Sequence, residues 1–151
     1  VSSSNVYDDA HRAATYATLD FPGTYYLAFR DLPAIIGKHV SGRKALDFGC
    51  GTGRSTRFLE RLAFEATGID IAASMIRMAQ EADPDGRYLL VEGSDYGRLG
   101  SSRYNLIFSA FAFDNIPGLE NRRQILRGLR GLLADGGRII LLGSTPEIHI
   151  H

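Results

Sequence analysis

The chain has 151 residues, enough for one hydrophobic core and too few for two ordinary domains. Apolar residues make up 44% of it, which argues against disorder, and 17 basic residues balance 17 acidic ones, so no long-range field favours nucleic acid or an anionic membrane. The single cysteine, Cys50, excludes an internal disulfide, and no apolar run approaches a membrane span or a signal peptide, so a cytoplasmic location is expected.

Residues 1–42 read as a helical cap or lid ahead of a core over 43–151, both within a single domain. Ala13, Ala14, Tyr16 and Ala17 fit one helix and Tyr25 to Leu32 a second, with Pro33 opening or kinking the next segment. Tyr7, Tyr16, Phe21, Tyr25 and Tyr26 make this stretch rich in aromatics. They serve either to pack a static layer or to close a lid over a ligand pocket.

From Lys44 onward, short β-rich runs alternate with amphipathic helical ones. Strands are expected at Arg43 to Phe48, Phe64 to Ile69, Arg87 to Val91, Tyr104 to Ser109 and Arg138 to Leu142. Helices are expected at Ser55 to Leu62, Ala73 to Ala82 and Leu119 to Ala134. Ile125, Leu126, Leu129, Leu132 and Leu133 mark the last helix, and Gly136 and Gly137 supply its stop. The fifth strand, nearly continuous in apolar residues, reads as buried on both faces. The alternation predicts an α/β fold: a doubly wound, Rossmann-like, mainly parallel sheet with helices on both faces. Ligands in such sheets sit beyond the carboxyl ends of the strands, where the strand order reverses. The Arg residues from Arg122 to Arg130 fall on the wet face of a helix and read as solvated, not as a nucleic-acid patch.

Leu46 to Gly53 reads LDFGCGTG, a buried strand opening into Gly-x-Gly-x-Gly. Glycine loops of this kind are shared by many nucleotide binders. A dinucleotide fingerprint would place a glycine or alanine where this chain has Arg54, and a P-loop would need Gly-Lys followed by Ser or Thr. Asp47 lies inside the strand, an awkward place for a carboxylate. It would repel a pyrophosphate but not a ligand bearing an ammonium and a sulfonium; the alternative is a carboxylate bonded to loop amides. Asp70, ending the run GIDI, suits either the two hydroxyls of a ribose or a helix N-cap. Gly93, Ser94 and Asp95 come after the third strand, where Asp95 suits an exocyclic amine or the three form a plain turn.

In order, ALDFGCGTGRSTRFL, ATGIDIAASMIRMAQ, EGSDYGRL, NLIFSAFAFDNIP and LRGLRGLLADGGRIIL resemble the successive motifs of class I S-adenosylmethionine-dependent methyltransferases, over roughly Lys44 to Gly143. The resemblance implies transfer of a methyl group from S-adenosylmethionine to a small-molecule acceptor, leaving S-adenosylhomocysteine. It implies that Asp47 and the loop Gly49, Cys50, Gly51, Thr52 and Gly53 face the methionine portion of the cofactor. Asp70 would hold the ribose, and Ile71 and Met75 would pack on adenine. Asp95, preceded by Gly93 and Ser94, would accept from the adenine amine beside the Tyr96 amide. Ser109 and Ala110 would border the methionine backbone. Separately from the resemblance, closure of the aromatic-rich N-terminus as a lid would let Tyr16 offer an aromatic face to the sulfonium. Related sheets commonly carry two further strands, so the fold is expected to be truncated after the fifth. A non-catalytic binding module and an aminopropyl-transfer enzyme on the same fold are the alternatives.

Methyl transfer from a sulfonium is an in-line displacement in which alignment does most of the work. A base is needed only if the acceptor must lose a proton near the transition state. Asp114, Tyr16 and His11 are the candidates for that role, Asp114 standing where related enzymes often carry His. Cys50 is assigned no nucleophilic role, and His149 and His151 are not read as metal ligands. Neither nucleic acid nor membrane is expected as a partner.

Overall fold

Five parallel strands form one sheet in the order β3-β2-β1-β4-β5. They come from a computed structural model that describes residues 24–144. The elements run α1 (Thr24–Arg30), α2 (Leu32–His39), β1 (Lys44–Phe48), α3 (Arg54–Arg61), β2 (Glu65–Asp70), α4 (Ala73–Ala82), β3 (Arg87–Leu90), β4 (Tyr104–Ala110), α5 (Leu119–Gly131) and β5 (Leu133–Leu142). Single 3₁₀ turns lie at Gly97–Leu99 and Phe113–Asn115. The helix expected around Ala13 to Ala17, together with His11, Tyr16, His149 and His151, lies outside the described residues.

Side chains alternate between the two faces of the sheet. The register Asp47↔Gly68, Asp47↔Phe108 and Gly68↔Tyr88 therefore sets one face. There Ala45, Ala66, Leu106 and Phe108 pack with Phe29 of α1, Leu32 and Ile36 of α2, and Leu59 of α3, while Tyr88 packs with Ile76 and Ala79 of α4. On the other face Leu46, Ile69 and Ile107 meet Leu129 of α5 and Leu99. Helices thus cover both faces, as expected. Burying such side chains contributes roughly 1.5–3 kcal/mol apiece, which holds the helices to the sheet. Phe29 is pinned edge-on by Phe58 at 5.0 Å and 85°, so α1 is bound to the core as a packed layer.

Three expectations are corrected. The helix expected from Tyr25 to Leu32 is two helices, broken at Asp31, with Pro33 in the first turn of α2 where its missing N–H is harmless. Helix α5 stops at Gly131 rather than Ala134: Leu132 caps it, with its carbonyl accepting from Tyr104 N–H of β4 at 2.9 Å, and Leu133 already pairs with Tyr104 as the start of β5. Gly136 and Gly137 consequently lie within β5, where the register to β4 shifts between Tyr104 and Leu106. A Cβ at Gly137 would come within 2.8 Å of the Tyr104 carbonyl oxygen. Finally, β5 is not buried on both faces. It pairs only with β4 among the described residues, and Leu141 is 42% exposed.

Candidate functional site

The strand order reverses between β1 and β4, and the crevice at their carboxyl ends holds a cavity. Its floor is the loop after β1. Gly49 and Cys50 both donate to the Ile69 carbonyl, at 2.9 and 3.0 Å, which ties the loop to β2. Gly49 has φ +70°, and a Cβ there would collide with that of Ala112. Gly53 has φ +82° at the head of α3, and a Cβ there would meet the Tyr88 ring at 2.7 Å. Both positions thus demand glycine through backbone and through space.

Asp47 lies beneath this floor with no exposed surface. Its Oδ2 accepts from Ser55 Oγ at 2.6 Å and Thr56 Oγ1 at 2.7 Å, while Oδ1 has no partner among the described residues. Burial pushes the carboxyl up to about 6, the two hydroxyls pull it back, and nearby Asp70 adds to the rise. The loop amides expected as an alternative partner are not what holds it. Its link to the cavity is Ser55, which lines the wall.

Asp70 also lines the cavity. Its Oδ2 accepts from Gly51 N–H and its Oδ1 from Ala72 N–H, each at 2.9 Å, so it bridges the glycine loop to the start of α4. Met75 is 2% exposed yet contributes to the same wall, whereas Ile71 projects outward at 54%. Cys50 is buried in the floor, and burial with Asp47 and Asp70 nearby drives its thiol well above the usual range, leaving it protonated.

The residues after β3 make the tight turn that was one of two readings. Gly93 takes φ +57°, Ser94 and Asp95 are exposed, and Asp95 Oδ1 accepts from Gly97 N–H at 2.9 Å. Tyr96 packs its ring on the α5 face, where burial raises its phenol to about 12 and its hydroxyl has no partner among the described residues. After β4, Ala110, Phe111 and Ala112 form the far wall. Ser109 is wholly buried, its Oγ unpartnered among the described residues. Phe111 holds a left-handed backbone, φ +60°, with its N–H on the Leu142 carbonyl at 2.7 Å.

The structure thus gathers Gly49, Cys50, Gly51, Thr52, Asp70, Met75 and Ala110 around one cavity. Phe29, Arg54, Ser55, Phe111 and Ala112 join them without having been singled out in the sequence. Ser55 and Thr56, eight and nine residues after the buried acid, open the helix beyond the glycine loop. Phe29 carried no signal in the sequence, because its helix reaches the site through packing alone. Asp114 is exposed and committed elsewhere: its Oδ2 accepts from Ser144 N–H at 2.7 Å, tying the turn after β4 to the end of β5.

A family model described as "Methyltransferase domain" matches residues 46–141. The chain belongs to the methyltransferase domain family. The class I S-adenosylmethionine-dependent resemblance read from its motifs therefore holds. This methyltransferase domain is 32% identical to the demethylmenaquinone methyltransferase of Thermotoga maritima over 109 residues, covering 71% of the chain and 46% of the relative. It is 38% identical to the trans-aconitate 2-methyltransferase of Afipia carboxidovorans over 138 residues, covering 85% of the chain and 51% of the relative. The domain thus spans about half the length of these curated relatives. The solved DhpI–SAH complex shares the fold at a TM-score of 0.75 and 23% identity, covering 92% of the domain and 67% of that chain. No described helix of the domain is long and apolar enough to cross a membrane.

Proposed function

We propose that the domain belongs to a cytoplasmic enzyme that transfers a methyl group from S-adenosylmethionine to a small-molecule acceptor. The observation that carries this reading is the meeting of the glycine loop, Asp70 and the β4 loop around one cavity at the strand-order reversal. The residues fit such a cofactor. Gly49, whose Cβ would meet that of Ala112 on the far wall, keeps the crevice open, and a buried carboxylate beneath the loop favours a cationic ligand over a pyrophosphate.

In this reading Asp70 binds the ribose hydroxyls, Met75 and Ile71 flank the adenine, and Asp95 with the Tyr96 amide meets its edge. Residues 49–53, with Ser109 and Ala110, border the methionine portion. The bound sulfonium supplies an activated methyl group. The work of the chain is to align that group with the acceptor and to exclude water, for which Phe29 and Phe111 provide an apolar wall. In the same reading Tyr16 is the sulfonium face and His11 a candidate base, both assigned from the sequence alone. Asp114 is a weaker candidate base given its bond to Ser144.

Isothermal titration tests the cofactor. S-adenosylmethionine and S-adenosylhomocysteine should bind in about the micromolar range, near −8 kcal/mol, and NAD and ATP should not. Tight NAD binding without a response to the sulfonium would sink the reading. Turnover of labelled cofactor with trans-aconitate and a demethylmenaquinone, the acceptors in the relatives' names, separates an enzyme from a binding module.

A further inference from the structure

Behind the glycine loop, one aromatic ring fills the space that three glycines leave open. Tyr88 of β3 is 4% exposed. A Cβ at Gly53 would come within 2.7 Å of its Cε1, one at Gly68 within 2.8 Å of its Cδ1, and one at Gly86 within 2.5 Å of its Cε2. Gly68 sits beside Tyr88 in the sheet, Gly53 heads α3, and Gly86 precedes β3 at its amino end, opposite the crevice. The Tyr88 hydroxyl donates to Asp83 Oδ2 at 2.9 Å, at the end of α4. Burial, with that carboxylate beside it, drives the phenol well above its usual range, so the donor stays protonated. The ring is thus held by β3 and α4 and wedged against the last glycine of the loop.

The hydrogen bonds to β2 hold Gly49, Cys50 and Gly51, whereas the Gly53 N–H binds within the loop, to the Cys50 carbonyl at 2.9 Å. Arg57 of α3 donates to the Thr52 carbonyl at 2.9 Å. Thr52 and Arg54, on either side of Gly53, line the cavity, and Tyr88 does not. A close-packed interior passes displacement on, so a shift of the ring moves this turn.

We propose that Tyr88 is a positioning residue for the cofactor: its ring, pressed from β3 against Gly53, sets the height of the turn from Thr52 to Arg54 at the cavity. The proposal rests on the S-adenosylmethionine reading above. It extends the binding apparatus to the amino end of β3, away from every residue that lines the cavity.

The test is S-adenosylhomocysteine binding by isothermal titration, at a temperature where circular dichroism shows each variant folded. Tyr88→Leu removes the wedge and should weaken binding about tenfold or more, whereas Tyr88→Phe, which keeps the ring, should stay within about threefold of the parent. Leu129→Ala truncates the core on the other face of the sheet, and should melt earlier yet bind like the parent. Gly86→Ala leaves the core intact and presses the ring toward Gly53 from the far end, so it should weaken binding about threefold to tenfold. This variant decides the matter even if Tyr88→Leu does not fold. Parental binding by Gly86→Ala, or by folded Tyr88→Leu, would overturn the proposal and leave Tyr88 as core packing. Weakening of Tyr88→Phe or Leu129→Ala to the level of Tyr88→Leu would do the same. A parent that does not bind S-adenosylhomocysteine would instead remove the cofactor reading itself.

Discussion

Where β1 meets β2, three successive loop amides are held: Gly49 and Cys50 by the Ile69 carbonyl, Gly51 by Asp70. Where β4 meets β5, Phe111 sits in a left-handed backbone and the Ser109 hydroxyl lacks a partner among the described residues. The first rim is tied down by hydrogen bonds to β2. The second stores local strain of about 1–2 kcal/mol, which the Leu142 carbonyl and the Phe29–Phe58–Phe108 packing offset. The difference matches two tasks. A constant ligand rewards a rigid, pre-formed floor, whereas the wall after β4, beside the cap, is free to vary with the acceptor.

The sharpest way to break this comparison is to cut the first rim at its acid. Asp70→Ala removes the acceptor of Gly51 and Ala72 together with two charge-assisted bonds proposed to the ribose, each worth about 1.5–3 kcal/mol. Titration should show S-adenosylhomocysteine weakened by roughly two to four decades, while Glu120→Ala on the exposed face of α5 binds like the parent. Binding by Asp70→Ala at parental strength would reduce Asp70 to a turn former.

Asp47 tests the same rim through pH. Burial raises its folded carboxyl from 3.8 to about 6, so the folded chain holds a proton that the unfolded chain has already released. The contribution of this group is therefore fully present below about pH 4 and lost as pH rises through 6, by roughly 3 kcal/mol. Urea unfolding of the parent against Asp47→Asn should show a stability difference that changes across about pH 4–6 and is flat above about pH 7. A difference independent of pH would mean that Asp47 titrates normally and is not desolvated.

The smallest expected effects contrast two left-handed residues. Ala63, at φ +65°, ends α3 away from the cavity on an exposed turn. Ala63→Gly should stabilise the fold by about 1 kcal/mol, since glycine adopts that backbone without strain. Phe111→Gly relieves the same strain but removes a ring packed against the core, and should instead destabilise by about 1–2 kcal/mol. Thermal melts of both variants check the signs. Equal stabilisation would show that the Phe111 ring carries no packing.

Much of the fold was legible in local pattern. Apolar periodicity located every strand and helix of the core, and Ala73–Ala82 was placed to the residue. The LDFGCGTG run named the floor because positive φ angles and close packing leave glycine alone at 49 and 53. Sequence also marked both acids, since a carboxylate inside or at the end of a buried strand is conspicuous.

Pattern misjudged what depends on distant partners. Leu132 and Leu133 keep helical spacing, yet Leu133 pairs with Tyr104, a residue far earlier in the chain, and so begins β5 where the helical pattern would have continued. The apolar run in β5 says nothing about how many neighbours the strand has, and so overstated its burial. Asp47 was visible as an acid, but only the packing of α3 on β1 turned it from the cavity toward two hydroxyls. Residue type and local periodicity were thus determined by the sequence itself. Tertiary structure decided which hydrogen bonds won, because each competes with partners that only the assembled sheet brings within about 3 Å.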